Sequence, residues 1–308
     1  MKFFQFIPNN LNIDFVGKFK LFVAISTLSV AASLFGMFTK GFNFGIDFTG
    51  GAVVQIKYKQ PTPIDEVRKT VDALGDEGAS VVAMDKTDQE YLITARQATK
   101  EGEGSLPVLL LNKVGPDKAS ITQADIVGPK VGSELKLSAI RSMIYTIILI
   151  MVYIWLRFDF RFAPGATVAL VHDMTVAAGY YVFTGREFDI TAIAALLTIA
   201  GYGVNDTIVI YDRVRELIKL GDNSDLAQTI NKAINLTLSR TVITSGVTFL
   251  SVVPIAVFCS GPIQDFAETM LIGIFVGTYS TYYIAAPLTI YVEKWMGKKQ
   301  APRRVASV

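Results

Sequence analysis

"DITAIAALLTIAGYGVNDTIVIYDRVRE" runs from Asp189 to Glu216 and reads as one helix long enough to cross a membrane. Its first half is almost entirely apolar. Asn205 and Asp206 then interrupt it, about two turns short of the charged end at Asp212 and Arg213. A carboxylate in lipid costs about 2.5–3.5 kcal/mol on insertion scales, so this pair needs a partner or a task.

The rest of the chain has the same character. Of 308 residues, 51% are hydrophobic and only 18% are charged, with mean hydropathy +0.41. That balance excludes an ordinary soluble domain and fits a polytopic membrane protein. Six apolar runs are long enough to span: 21–38, 139–156, 164–183, 190–211, 241–258 and 269–292. The start, "MKFFQFIPNN", lacks a small-residue cleavage site, so no removed signal peptide is expected and the first run stays as an anchor. The single cysteine, Cys259, allows no intrachain disulfide.

Basic residues set the expected orientation. Lys2, Lys18 and Lys20 precede the first run, Arg157 and Arg161 follow the second, and Arg213, Arg215, Lys219 and Lys232 follow the fourth. Lys294, Lys298, Lys299, Arg303 and Arg304 lie in the tail. Both termini are therefore expected in the cytoplasm (segments 1–20 and 293–308), with residues 39–138 on the opposite side.

That segment is too long and polar for a loop. "AVVQIKYK" (52–59) alternates as a strand does. "PTPIDEVRKTVDALG" places Ile64, Val67 and Val71 at helical spacing, with Gly75 near its end. "ASVVAMD" and "EYLITARQ" read as strands, "GSLPVLLLNKVGP" as a short helix and "ASITQADIVGPKVG" as a last strand. The order β-α-β-β-α-β predicts a small ferredoxin-like domain. Between the fourth and fifth runs, the loop 213–239 contains "DNSDLAQTINKAINL", whose Leu226, Ile230, Ala233 and Ile234 share one face. It predicts an amphipathic helix lying on the membrane surface.

Enzyme chemistry finds no foothold. There is no phosphate-cradling G-x-x-x-x-G-K-[ST] loop, and "GYGVND" lacks the third glycine of a dinucleotide motif. One His and one Cys offer no metal-ligand spacing. The chain is not expected to be an enzyme, to hold a cofactor or metal, or to bind nucleic acid. What remains is polarity inside the spans. The third carries His172 and Asp173, the fourth Asn205 and Asp206, and the fifth opens with Arg240 below Thr241, Thr244, Ser245, Thr248 and Ser251. Asp206 lies about 10 Å before Arg213, and His172 and Asp173 lie a similar distance after Pro164. His172, Asp173, Asp206 and Arg240 can all meet at one level if these helices pack together. An Asp beside a guanidinium is held ionised, and one that loses that neighbour in an apolar bundle takes up a proton. The pair Asp206 and Arg240 is therefore the candidate proton-coupling site, with His172, Asp173 and Asn205 as a supporting relay. The bland alternative is polar residues joining helices. Asn205 points about 100° away from Asp206, on a stripe with Thr198, Gly201 and Asp212. Gly273 and Gly277 in the sixth run form a G-x-x-x-G pair suited to close helix packing.

"FNFGIDFTGG" (42–51) is, by itself, a glycine-rich turn into a strand, with Gly45, Gly50 and Gly51 easing the backbone and Asp47 able to cap locally. The decapeptide closely resembles the motif after the first span of SecD and SecF, accessory subunits of the Sec protein translocase. "VGPKVGSEL" (127–135), "HD" in the third run, "VNDTIVIYDRVRE" (204–216), "SRTVITS" (239–245) and "GTYSTYYIAAPL" (277–288) extend the resemblance toward SecF, which carries one small outer domain. The resemblance implies membership of the resistance-nodulation-division superfamily. It also implies a twelve-span unit with SecD, association with the SecYEG channel and often YajC, and use of the proton motive force to draw preproteins outward in a bacterial inner membrane. Sodium is the alternative coupling ion. In that family the Asp of "VND" and the Arg of "SRT" are tied to proton use; here they are Asp206 and Arg240. The stretches 45–51 and 127–132 join membrane and outer parts and are the expected hinges. Competing readings are half of an exporter of the same superfamily, or a passive scaffold.

Overall fold

The computed structural model describes residues 12–74, 79–84, 87–95, 104–221 and 225–296. Gly75 and the basic residues at positions 2, 298, 299, 303 and 304 lie outside them.

The long apolar runs form long helices. They are α1 (Phe19–Thr39), α5 (Pro129–Arg157), α6 (Ala163–Thr184), α7 (Ile190–Lys219), α8 (Leu226–Phe258) and α9 (Pro262–Ser280). A π turn at Thr281–Ala285 continues α9 into α10 (Ala286–Trp295). Five of these helical stretches are long and apolar enough to cross a membrane: α1, α5, α7, α8 and the continuous Pro262–Trp295. The expected third span, α6, is not among them. Its 22 residues suffice in length, about 33 Å, but His172 and Asp173 interrupt its apolar run. It packs against α1, α5, α7 and α9, so little of it needs to face lipid and polar residues are sheltered there.

The expected surface helix in the 213–239 loop is corrected. Helix α7 continues to Lys219, and Leu226 begins a single 33-residue helix that runs into the fifth apolar run. Leu226, Ile230, Ala233 and Ile234 are buried in the main core, so their shared face is covered by protein. The opposite side of this stretch holds the N-terminal strap. Asn235 Oδ1 accepts from Ile13 N at 2.8 Å, and Asn231 Oδ1 accepts from Phe15 N at 2.8 Å. Asparagine amides thus supply the hydrogen bonds that an extended backbone lacks.

Between α1 and α5 the chain forms β1 (Asn43–Phe44), the one-turn helix α2 (Ile46–Thr49), β2 (Gly51–Tyr58), α3 (Ile64–Asp72), β3 (Ser80–Ala83), β4 (Glu90–Ala95), α4 (Leu106–Val114) and β5 (Ala119–Val127). Strands β2 to β5 make an antiparallel sheet in the order β3-β4-β2-β5. Alternation on β2 turns Ala52, Val54 and Ile56 inward against Val67 and Val71 of α3 and Leu106 and Leu110 of α4. The last strand, expected over "ASITQADIVGPKVG", ends at Val127, and α5 starts at Pro129, a position where the missing N–H costs nothing.

The two connections between sheet and bundle lie against each other. Gly50 has φ +79°, a region that disfavours side chains, and a Cβ there would stand 3.0 Å from Pro129. A Cβ at Gly132 would stand 3.1 Å from the Phe48 and Gly50 backbone. Strand β1 pairs in parallel with β6 (Glu187–Phe188), just before α7. The hairpin-free, two-residue pairing carried no signal in the sequence.

Candidate functional site

Helix α7 turns Asp206 and Thr207 inward; they are 5% and 2% exposed. Ser245 on α8 donates to Asp206 Oδ2 at 3.1 Å, and the Thr278 hydroxyl on α9 lies 3.2 Å from Ser245 Oγ. Thr207 Oγ1 and Thr281 Oγ1 are 3.1 Å apart. Thr241 Oγ1 and Tyr282 OH are also buried, without a well-formed hydrogen bond among the described residues.

A second cluster lies on the other side of α9. His172 Nδ1 and Asp173 Oδ1 are 2.8 Å apart, with both residues buried. Ser280 donates to Asp173 Oδ2 at 2.8 Å. Tyr279 OH is 2.9 Å from His172 Nε2 and 3.3 Å from Ser26 Oγ on α1. The intramembrane polar groups therefore form two clusters where one level of contact was expected. They approach through glycine: Asp173 Oδ2 lies 3.3 Å and 3.5 Å from where Cβ atoms of Gly203 and Gly277 would stand.

Arg240 does not join Asp206 as an ion pair. Its side chain is exposed and makes no ion pair among the described residues. Helix geometry explains the outcome. Ser245 and Thr241 occupy the buried side of α8, and Arg240, five residues before Ser245, is rotated out of it. Asn205 is also exposed, on a face shared with Thr198 and Gly201, and takes no part in either cluster. Gly273 and Gly277 both face α7. A Cβ at Gly273 would overlap Ile199, while one at Gly277 would rest 3.5 Å from Gly203.

The residues missed in the sequence are Thr278, Tyr279, Ser280 and Thr281. Four consecutive side chains reach α8, α6 with α1, α6 again, and α7. The run "TYSTYY" inside an apolar helix was the available signal. The π turn that follows suits Pro287, which lacks an N–H and crowds the preceding turn. The Ala285 carbonyl in the same turn accepts from Tyr211 OH at 3.0 Å, and Gly165 clears the space, since a Cβ there would overlap that carbonyl oxygen.

The glycine-rich motif serves the same helix from its other end. Asp47 Oδ2 accepts from Ile190 N at 3.0 Å and Asp189 Oδ1 from Ala192 N at 2.7 Å, so two carboxylates cap the start of α7. Burial pushes the Asp189 carboxyl above the usual carboxylate range, and the Asp47 charge acts in the same direction. Nearby, Arg186 bridges Asp265 and Glu268 of α9, and Tyr180 donates to Glu268.

Residues 109–295 match the family model of the protein export membrane protein SecD/SecF C-terminal region, and residues 35–62 match the SecD/SecF GG motif. The protein translocase subunit SecF of Calditerrivibrio nitroreducens is 41% identical over 304 residues, 97% of this chain and 99% of that protein. SecF of Desulfurispirillum indicum is 38% identical over 277 residues, covering 87% and 88%. Among solved structures, SecDF, a translocon-associated membrane protein from Thermus thermophilus, is similar with TM-score 0.82 at 32% identity, covering 95% of this chain and 40% of that one. SecDF in a super-membrane-facing form gives 0.69 at 33%, with 94% and 40% covered. A family model over more than half of the chain and near full-length relatives agree: the chain is a multi-pass membrane protein and belongs to the SecF family of protein translocase subunits.

Proposed function

We propose that this chain pairs with a SecD-like partner and uses the proton motive force to promote preprotein export through a SecYEG channel, with YajC as a further associate. The partner reading rests on the SecDF likeness, in which this chain corresponds to 40% of a longer chain. In this reading α6 is the sixth, central span. The β3-β4-β2-β5 sheet with α3 and α4 is a ferredoxin-like outer domain on the far side of a bacterial inner membrane. Residues 1–20 and 293–308 are cytoplasmic, and the superfamily is the resistance-nodulation-division one. The subunit works as an accessory, not as an enzyme.

The observation that carries the reading is Asp206: a carboxyl 5% exposed in the middle of a membrane helix, contacted by a hydroxyl and by no cation. Such a group changes charge at low structural cost when a proton arrives. Thr241 and Tyr282 add two further buried hydroxyls to the same bundle, on α8 and the turn after α9. One proton crossing the membrane supplies about 2.3 kcal/mol per 100 mV, enough to bias two packings of the bundle. Arg240 then acts through its field, and as a group that approaches Asp206 in one of those packings. His172 and Asp173 form the supporting relay.

The test is preprotein export into inverted membrane vesicles with and without an imposed proton gradient. Asp206→Asn should assemble normally and lose the gradient-dependent increment; an imposed sodium gradient in place of the proton gradient identifies the ion. Wild-type stimulation in Asp206→Asn would leave the chain as a passive scaffold.

A further inference from the structure

The aromatic residues of "FNFGIDFTGG" have no part in the proton reading. Phe42 and Phe44 are half-buried and Phe48 is buried, and with Phe188 they make a cluster of tilted and edge-on rings. They form one end of a cleft of about 370 Å³ between α1, α5, α6 and α7. Its floor is apolar and reaches the core at Met174 and Leu196, which are 4% and 0% exposed. Thr175, the one hydroxyl in the wall, donates to its own helix at Val171 O. Lys136 is the one charged side chain in the lining, at the end nearest the sheet domain. Its ammonium stands 4.0 Å over the Phe44 ring, and it makes no ion pair among the described residues.

We propose that this cleft is a phospholipid site: one acyl chain lies along the apolar floor, and the headgroup phosphate pairs with Lys136. Three observations fix the chemistry. An apolar slot with a single unpaired cation at its mouth suits an amphiphile with a long apolar tail and an anionic head. The mouth opens between Leu34 of α1, Ile140 of α5 and Val171 of α6, which are 42%, 47% and 44% exposed; α1 and α5 are long and apolar enough to cross a bilayer, so acyl chains are what meets it. The depth also fits: Met143 lies seven residues, about 10 Å, along α5 from Lys136, which places the ammonium at headgroup level when Met143 is among the acyl chains.

The position gives the site its consequence. Phe44 and Phe48 belong to the connection that leads into the sheet, and Phe188 pairs with Phe44 just before α7. A lipid in the cleft braces that junction against α5, so occupancy and the attitude of the sheet domain are linked.

The experiment uses the full chain, with any partner that co-purifies, reconstituted in bilayers of phosphatidylglycerol and phosphatidylethanolamine that contain a phospholipid with a photoactivatable acyl chain. After irradiation the cross-linked peptides are mapped, and retained phospholipid is counted by native mass spectrometry after detergent exchange. Cross-links concentrated on segments 42–48 and 139–147, with one phospholipid retained, are expected. Lys136→Glu should lower retention about tenfold without changing the melting temperature. Ala178→Leu, which fills the floor, should remove the cross-links; Ala178→Val is the milder version if that variant unfolds. Cross-links spread evenly over all spans, or retention unchanged in Lys136→Glu, would overturn the proposal. So would protection of the cleft by a partner helix, or its filling by detergent alone.

Discussion

Ser245 on α8 donates its hydroxyl proton to Asp206 on α7, so the buried carboxyl of the fourth apolar run is held by a neutral group and not by the guanidinium of Arg240. A single hydroxyl therefore decides how the acceptor is satisfied. Ser245→Ala leaves that oxygen unpaired, at a cost of about 1–3 kcal/mol. Thermal unfolding in detergent should register the loss, and the pH dependence of gradient-driven export should move. A variant with wild-type melting and an unmoved pH profile would show that the contact is incidental.

Tyr279 and Ser280 hold one His–Asp couple from adjacent positions on α9. Each hydrogen bond contributes about 0.5–1.5 kcal/mol. Tyr279→Phe also frees α1, because the same hydroxyl reaches Ser26. In a double-mutant cycle with Ser280→Ala, the two losses should fail to add by at least about 0.5 kcal/mol, as members of one network do. Strict additivity would mean two independent contacts.

The two glycines of α9 should respond differently. A methyl at Gly273 overlaps Ile199. Gly273→Ala should destabilise by about 1–3 kcal/mol, the range for overpacking. Gly277→Ala meets only ordinary contacts at 3.5 Å and gains helix propensity, so it should melt at or above the wild-type temperature. The reverse ranking would contradict the α7–α9 packing described here.

The start of α7 yields a stability change and a pH dependence. Asp47→Ala removes a cap from Ile190 N and should cost about 0.5–2 kcal/mol, most of it restored by Asp47→Asn. At Asp189 the carboxyl is raised in the folded chain, chiefly by burial. The contribution of its neutral form is complete at acidic pH and is lost as pH rises through that raised value. Asp189→Asn keeps a cap acceptor and cannot ionise. It should melt above wild type near pH 7.5, with the difference shrinking toward pH 4. Parallel melting curves across that range would exclude the effect.

Periodicity and length were enough to read most of the architecture. The strands at 51–58 and 119–127 and the helices at 64–72 and 106–114 follow from alternation, helical spacing and Pro or Gly boundaries. Asp206 stood out because it is expensive in lipid. Arg240 stood out for the same reason, yet the sequence could not say which side of α8 it takes; that depends on which neighbours cover the helix. The break before α8 was misplaced because an amphipathic stretch looks the same whether its apolar face meets lipid, core or a strap such as residues 13–16. Ser26 was silent, since one serine in an apolar run is common. The run at 278–281 was visible as polarity, but its division among four helices is a property of packing.

Helix α9 presents its hydroxyls as consecutive spokes, each rotated about 100° from the last. The π turn that begins at the last of them, Thr281, holds about one residue more than an α turn, and that residue is the unit of the same rotation. Were the turn to straighten against a fixed α10, every spoke would advance by one place. The hydroxyl that now addresses Asp173 would leave it, and a neighbour would arrive. Asp173 is read by this wheel directly and Asp206 at one remove, through Ser245: a rotation of α9 that takes Ser280 from Asp173 also takes Thr278 from the serine that holds Asp206.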